Sequence, residues 1–129
     1  RLLLLDEPST GLDVAAREMR DADVGALPVV DGEGRLVGIV TDRDIVVRAV
    51  AEGRDPATYT VGELADRAPV TVSVDDPAEE VLAVMKEHQI RRVPVIEEGE
   101  LVGFLAQADV ARTMEESTVG EFLETLSEE

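Results

Sequence analysis

A repeat within the sequence constrains the fold more than any other feature. The stretch "MRDADVGALPVVDGEGRLVGIVTDRDIVVRAV" spans residues 19–50, and "MKEHQIRRVPVIEEGELVGFLAQADVARTM" spans residues 85–114. Met19 aligns with Met85, and the same offset holds as far as the following turn, which is one residue shorter in the second copy. A repeat of this length indicates two equivalent supersecondary units in one chain.

Each copy is predicted to form a strand, a helix, two further strands and a closing helix. Helical spacing of apolar residues is seen at Leu12, Ala15, Ala16 and Met19, and again at Val81, Leu82, Val84 and Met85. The stretches "ALPVV" and "RVPVI" predict one strand, a turn rich in Gly and acidic residues follows, and "RLVGIVT" and "ELVGFLA" predict the next. The closing helices are predicted from Asp42 and from Gln107. We therefore expect an α+β fold of two β-α-β-β-α repeats with small three-stranded sheets.

The predicted domain boundaries follow from the repeat. Two segments outside it, "TVGELADR" from Thr60 and "TVGEFLETL" from Thr118, begin with Thr-x-x-Glu, the spacing of a capping box at a helix start. The predicted segments are a first repeat in residues 1–54, a linker with a short helix in 55–68, a second repeat in 69–115 and a C-terminal helix or tail in 116–129.

The N-terminal stretch "LLLLDEPSTGLD", residues 2–13, stands where "PVTVSVDD" stands before the second helix. It resembles the Walker B strand and D-loop of ABC-type ATPases, in which residues matching Asp6 and Glu7 hold magnesium and polarise the attacking water. The chain has no G-x-x-x-x-G-K-[ST] loop to cradle phosphates, so we expect a first strand and turn here and no ATPase. Two explanations stay open, a coincidental strand and turn or an ABC segment joined to the repeat by recombination, engineering or sequence assembly; we favour the second.

The two copies of "h-x-x-h-PVh…G-x-L-V-G-h-h", with "TDRD" after the first, resemble a pair of CBS domains, often called a Bateman module. The layout is similar to small stand-alone CBS-pair proteins of the hypoxic-response type, over about residues 9–115. The resemblance implies pseudo-twofold symmetry, a cleft between the repeats, homodimers and a regulatory role without catalysis. It also implies AMP, ADP, ATP, S-adenosylmethionine or NAD as regulatory ligands, with no cofactor required, and leaves room for a regulated partner protein.

The candidate ligand residues lie in "GIVTDRD", residues 38–44. In the family pattern the residue matching Thr41 contacts phosphate, and the one matching Asp44 accepts hydrogen bonds from the ribose hydroxyls. A helix that begins after Thr41 is expected to offer free N–H groups and the positive end of its dipole, which suit phosphate. Because Thr-x-x-Asp is also a variant of the capping box, a purely structural role stays open.

The second copy reads "GFLAQAD" and departs from this pattern. Ala106 cannot supply a hydroxyl, whereas Asp109 keeps the ribose position, so we expect one site per chain. Arg43, Arg91 and Arg92 are the candidate phosphate-binding cations. Because adjacent strand residues face opposite sides, only one of Arg91 and Arg92 can face a given cleft, and we favour Arg92. A solvated or ion-paired role for these arginines stays open. With no Cys and one His, we expect no metal site.

The charge excludes several function classes. Against 29 acidic residues the chain has 12 basic ones, a net charge of −17, so nucleic-acid backbones and anionic membranes are not expected partners. No apolar run is long enough to span a membrane and no signal-peptide pattern is present, so we expect a cytoplasmic protein. The predicted function is non-catalytic sensing of an adenosine nucleotide; the alternative is a ligand-free CBS dimerisation module, and the weakest hypothesis is a remnant of an ABC ATPase.

Overall fold

The computed structural model describes residues 2–65 and 68–112, together with positions 119 and 123. The chain divides into two compact units, one comprising Leu3–Pro69 and the other the described residues from Val70 onward. Each unit has a core of buried aliphatic side chains of its own. The predicted α+β architecture is therefore confirmed.

The elements of both units follow the predicted order. The first unit contains α1 (Leu12–Ala22), β1 (Ala26–Val30), β2 (Leu36–Thr41), α2 (Asp42–Asp44) with a π-helical continuation (Ile45–Val50), and α3 (Val61–Leu64). The second contains β3 (Val72–Ser73), α4 (Ala78–Glu87), β4 (Arg92–Glu97), β5 (Glu100–Ala106) and α5 (Gln107–Arg112). The closing helices begin at the predicted residues. Ala16, which the helical pattern placed on the buried face of α1, is exposed instead.

The leading strand of each unit is short. In the second unit β3 pairs in parallel with β4, which completes the predicted three-stranded sheet. In the first unit Leu5 alone bridges to Val29: its amide donates to the carbonyl of Pro28 (2.9 Å), and its carbonyl accepts from the amide of Val30 (2.8 Å). The first sheet therefore has two strands and one bridged residue. Leu5 is buried, Leu2 and Leu4 are half-buried and Leu3 is 39% exposed, so burial favours docking most strongly at Leu5.

Two antiparallel hairpins, β1–β2 and β4–β5, form most of each sheet. Glu98 and Gly99 both have positive φ (52° and 84°), the conformation of a two-residue type I′ turn between β4 and β5. The first hairpin has a longer turn in which Gly34 has a φ of 81°. This difference accounts for the one-residue offset between the two copies.

The ABC-like stretch is bound to the segment that follows the π-helical turn. The amides of Leu12 and Asp13 donate to carbonyls of residues 59 and 56 (2.9 and 3.0 Å), and the amides of Val61 and Gly62 donate back to carbonyls of residues 10 and 8 (2.8 and 2.9 Å). Asp6 and Glu7 are exposed. In place of the predicted first strand, the stretch supplies one bridged residue, followed by a turn and the start of α1.

Among the described residues of the second unit, the amide of Val119 donates to the carbonyl of Asp76 (3.0 Å), a counterpart of these bonds. Val119 and Leu123 are helical and pack against the core of the second unit. The rest of the predicted C-terminal helix lies outside the described residues.

Candidate functional site

The candidate site is the turn between β2 and α2. The Thr41 backbone is extended (φ −116°, ψ 159°), and its Oγ1 accepts a hydrogen bond from the amide of Asp44 (3.0 Å). In return the amide of Thr41 donates to Oδ2 of Asp44 (3.3 Å). These two bonds make a complete capping box, in which both side chains are half-buried.

The amides at the start of α2 are already bonded. The amide of Asp42 donates to the carbonyl of Gly25 (2.9 Å), that of Arg43 to Oδ1 of Asp42 (2.8 Å), and that of Asp44 to Thr41. The prediction of free N–H groups at this helix start is therefore wrong. The physical reason is that the β1–β2 pairing brings the Gly25 carbonyl to the helix start, while short polar side chains satisfy the next two donors.

The side chains of this turn keep hydrogen-bonding capacity that the capping box does not use. A hydroxyl has one proton to donate besides its lone pairs, so Thr41 can accept from Asp44 and still donate to a second group. An ionised carboxylate has about four lone-pair sites, of which the amide of Thr41 takes one at Asp44. Arg43, which lies between Thr41 and Asp44 in the sequence, is exposed. One turn therefore presents a donor, an acceptor and a cation.

The second unit repeats the backbone of this turn without its hydroxyl. The amide of Gln107 donates to the carbonyl of Arg91 (2.7 Å), the counterpart of the Gly25 bond. Ala106 stands before the helix, and Arg92 lies opposite it in the β4–β5 ladder. The hydroxyl, the cation and the carboxylate therefore occur together only in the turn of the first unit, at Thr41, Arg43 and Asp44, among the residues that the two turns contribute.

The two remaining candidates lie in the second unit. Asp109 forms an ion pair with Arg112 on α5, so its carboxylate is already engaged with a cation. Arg92 is exposed at the first position of β4. Sequence reasoning predicted a closing helix from Asp42 but not that its continuation, Ile45–Val50, is π-helical.

A carboxyl group with a shifted pKa, that of Asp31, lies in the first hairpin and not in this turn. The amides of Glu33 (2.9 Å) and Arg35 (3.0 Å) donate to Oδ1 of Asp31 in the first hairpin, and these bonds lower the pKa of the Asp31 carboxyl below its usual value.

Among the residues that the structure describes, no three or more His, Cys, Asp or Glu side chains form a group that could hold a metal ion. Within the same residues, no helix combines the length and the apolar character needed to cross a bilayer.

Two equivalent units, each with a hairpin that leads into a closing helix, define a tandem CBS-domain protein. The CBS domain family matches residues 7–50 and 61–116, and the chain belongs to this family. Most of the ABC-like stretch falls within the first match. Among characterised relatives, the chain is 46% identical over 115 residues to Hypoxic response protein 1 of Mycobacterium tuberculosis, covering 89% of this chain and 80% of the relative.

Solved structures show the same fold. The crystal structure of Hypoxic Response Protein I with two coordinated zinc ions has a TM-score of 0.78 at 46% identity, over 85% of this chain and 89% of that one. CBSX2 in complex with AMP has a TM-score of 0.74 at 28% identity, over 86% of both chains. The CBS domain pair of protein MJ0100 in complex with 5′-methylthioadenosine and S-adenosyl-L-methionine has a TM-score of 0.73 at 28% identity, over 86% and 90%.

Proposed function

We propose that this chain is a regulatory module that binds an adenosine-containing nucleotide at the Thr41–Asp44 turn. One observation carries the proposal: the Thr41 hydroxyl and the Asp44 carboxylate are held in one capping box, with acceptor and donor capacity left over. The known complexes of CBSX2 with AMP and of MJ0100 with S-adenosyl-L-methionine support this ligand class.

Each side chain of the turn has a distinct part in the proposed recognition. The Thr41 hydroxyl donates to a phosphate oxygen, and the Asp44 carboxylate accepts from the ribose hydroxyls. Arg43 supplies the positive charge that a phosphate needs near a chain of net charge −17. The amides of α2 are not part of the site because they are bonded within the protein.

The corresponding turn of the second unit, between β5 and α5, is proposed to bind a nucleotide more weakly. Without a hydroxyl at Ala106 it lacks the phosphate donor, and the Arg112 ion pair competes for the carboxylate of Asp109. That Asp109 contacts a ribose and that Arg92 contacts a phosphate both stay predictions. We therefore expect one nucleotide per chain.

Regulation follows from linkage between binding and conformation. A ligand that binds only the folded state stabilises it by about 2.7 kcal/mol at one hundred times its Kd. It shifts a conformational equilibrium only by its differential affinity for the two states. We propose no catalytic step, in keeping with the generally regulatory role of CBS-domain proteins. Incubation with ATP is expected to release no ADP or phosphate above the buffer background.

A ligand-free interaction module is the second candidate. The observation that favours it is the capping box itself, because the two hydrogen bonds between Thr41 and Asp44 form without any ligand. A cap of this kind stabilises a helix by about 1 kcal/mol, which is sufficient reason for the two residues to be there.

Calorimetric titration with AMP, ADP, ATP, S-adenosylmethionine and NAD separates the two candidates. The test variants are Thr41→Val, which removes the hydroxyl at nearly constant volume, and Asp44→Asn. The nucleotide proposal predicts micromolar binding to the wild-type chain and at least about a tenfold loss of affinity in each variant, the value of one hydrogen bond to a charged group.

The chain contains a matched control for this experiment. Thr60 and Glu63 form a second capping box at α3, with Oγ1 of Thr60 accepting from the amide of Glu63 (3.2 Å) and the amide of Thr60 donating to Oε2 of Glu63 (3.1 Å). Thr60→Val removes the cap hydroxyl and Glu63→Gln removes the carboxylate charge, the same two changes at a second capping box, and both should leave nucleotide binding unchanged. Equal effects of both pairs, or no heat with any ligand from a folded wild-type sample, would leave the ligand-free module as the better interpretation.

Zinc is not proposed as a ligand of this chain. Zinc sites in proteins are built mainly from Cys and His side chains. The sequence has no Cys and a single His, so its residues do not fit the metal seen in Hypoxic Response Protein I.

A further inference from the structure

The start of α2 carries more negative than positive charge. Asp42, Arg43 and Asp44 follow one another there, so two carboxylates stand beside one guanidinium. Among the residues that the structure describes, no Lys or Arg side chain forms an ion pair with either carboxylate. A ligand at this turn therefore meets a local excess of negative charge.

The Asp42 carboxylate is held in place on two sides. Its Oδ1 accepts a hydrogen bond from the amide of Arg43 (2.8 Å). Its Oδ2 lies close to Gly25, where an added Cβ would be 3.2 Å away. The side chain thus occupies an amide that a phosphate would otherwise attract, and it places a fixed negative charge there. That charge acts on a ligand at the neighbouring Thr41 without direct contact, because Coulomb interactions extend over several ångströms.

The repeat shows that the fold does not require this charge pattern. Gln107 and Ala108, both neutral, stand in the second unit at the positions that align with residues 42 and 43. The closing helix α5 nevertheless begins at Gln107, just as α2 begins at Asp42. An acid in the first turn also stabilises a helix through its dipole, but that role does not discriminate between ligands. The charge pattern therefore belongs to the turn that carries the Thr41 hydroxyl.

The sign of the charge indicates which adenosine ligands the turn accepts. ATP carries more negative charge than AMP, whereas S-adenosylmethionine carries a positive sulfonium. Within the turn, Arg43 is the one cation and the α2 amides are already bonded, so further phosphates find no additional partner there. The net charge of −17 acts in the same direction. We propose that Asp42 is a specificity-determining residue, which makes the turn prefer adenosine ligands with at most one phosphate over ATP. This inference rests on the nucleotide site proposed above.

Asp42→Asn tests the proposal, because it removes the charge and keeps an oxygen for the amide of Arg43. Calorimetry in EDTA keeps ATP free of divalent cations and therefore at its full charge. We expect the substitution to tighten ATP binding about tenfold and AMP binding about threefold, and to weaken S-adenosylmethionine binding about threefold, as for charges a few ångströms apart near a protein surface. A purely structural effect would shift all three affinities in the same direction.

Glu33→Gln is the matched control, because it removes the same charge from the first hairpin. Glu33 precedes β2 and Thr41 ends it, so a strand about 17 Å long separates them. At about 0.1 M salt this separation exceeds the Debye length, and the control should change no affinity by more than about twofold. Raising the salt to about 1 M should remove most of the Asp42→Asn shifts, because it shortens the Debye length to about 3 Å.

The outcomes separate this inference from the proposed site. Shifts of the same sign for all three ligands, or Asp42→Asn shifts no larger than those of Glu33→Gln, would overturn the role of Asp42 and leave the nucleotide site standing. The same holds if the wild-type chain binds ATP more tightly than AMP. If none of the three ligands binds the folded wild-type chain, the site itself is refuted, and the role of Asp42 with it.

Discussion

Gly38 in β2 is the residue at which a single added methyl group should have the clearest effect. It lies in the strand that leads to the Thr41 turn, and Ala65, the residue that ends α3, packs directly against it. A Cβ at position 38 would lie 2.7 Å from the carbonyl oxygen of Ala65 and 2.9 Å from its Cβ. Both distances are shorter than side-chain carbons adopt in proteins, so Gly38→Ala must push α3 away from the strand.

The magnitude follows from two opposing effects. Overpacking of a well-packed site costs about 1–3 kcal/mol. Replacing Gly by Ala also stabilises by about 0.4–1 kcal/mol, because the unfolded chain loses conformational freedom. Gly32→Ala isolates the second effect, since no atom lies within 4 Å of the position that its methyl group would take and its φ is not positive. We expect Gly38→Ala to be about 1–3 kcal/mol less stable than Gly32→Ala.

The assay is urea unfolding followed by circular dichroism, with the free energy of unfolding extrapolated to water. Adding Ala65→Gly to Gly38→Ala should restore only part of the loss, because it removes the 2.9 Å contact and leaves the one to the backbone oxygen. If Gly38→Ala and Gly32→Ala unfold within about 0.5 kcal/mol of each other, the range of an ordinary surface change, the steric reasoning is refuted.

Two further predictions concern the hairpin and the second turn. Since backbone bonds lower the pKa of Asp31 in the folded chain, its stabilisation is present above the usual carboxyl pKa and is lost as the pH falls through the lowered value. Scanning calorimetry should therefore show Asp31→Asn melting below the wild type at pH 6, with the gap closing below about pH 4; a constant gap down to pH 2 contradicts this. Ala106→Thr adds the missing hydroxyl before α5 and should stabilise the second unit by roughly 0.5–1 kcal/mol. In Ala106→Thr combined with Arg112→Gln, which also removes the ion pair that competes for Asp109, calorimetry should show a second nucleotide equivalent per chain, and an unchanged stoichiometry counts against Thr41 as the phosphate donor.

Much of the fold could be predicted because its signals are local. Alternating apolar residues, Gly-rich turns and helical periodicity identified both hairpins and the helix starts at Asp42 and Gln107. The leading strand of the first unit was harder to predict. Its four leucines look alike in sequence, but only Leu5 meets a partner strand.

The capping box at Thr41 was predictable from the sequence, but the bonding of the amides that follow it was not. The repeat singled out Thr41 and Asp44, and the spacing of Thr-x-x-Asp indicated the capping box that the structure contains. The bonding of the α2 amides could not be foreseen, because one of their acceptors is the carbonyl of Gly25, which is distant in sequence.

The amino-acid sequence by itself determined the two repeats, the order of their elements and the difference between Thr41 and Ala106. Those properties depend on residue type and short-range spacing. Only the tertiary structure decided that the α2 amides are satisfied and that Val46 and Val50 face outward. A valine reads as a core residue wherever it stands, and whether it is buried depends on which segments of the chain pack over it.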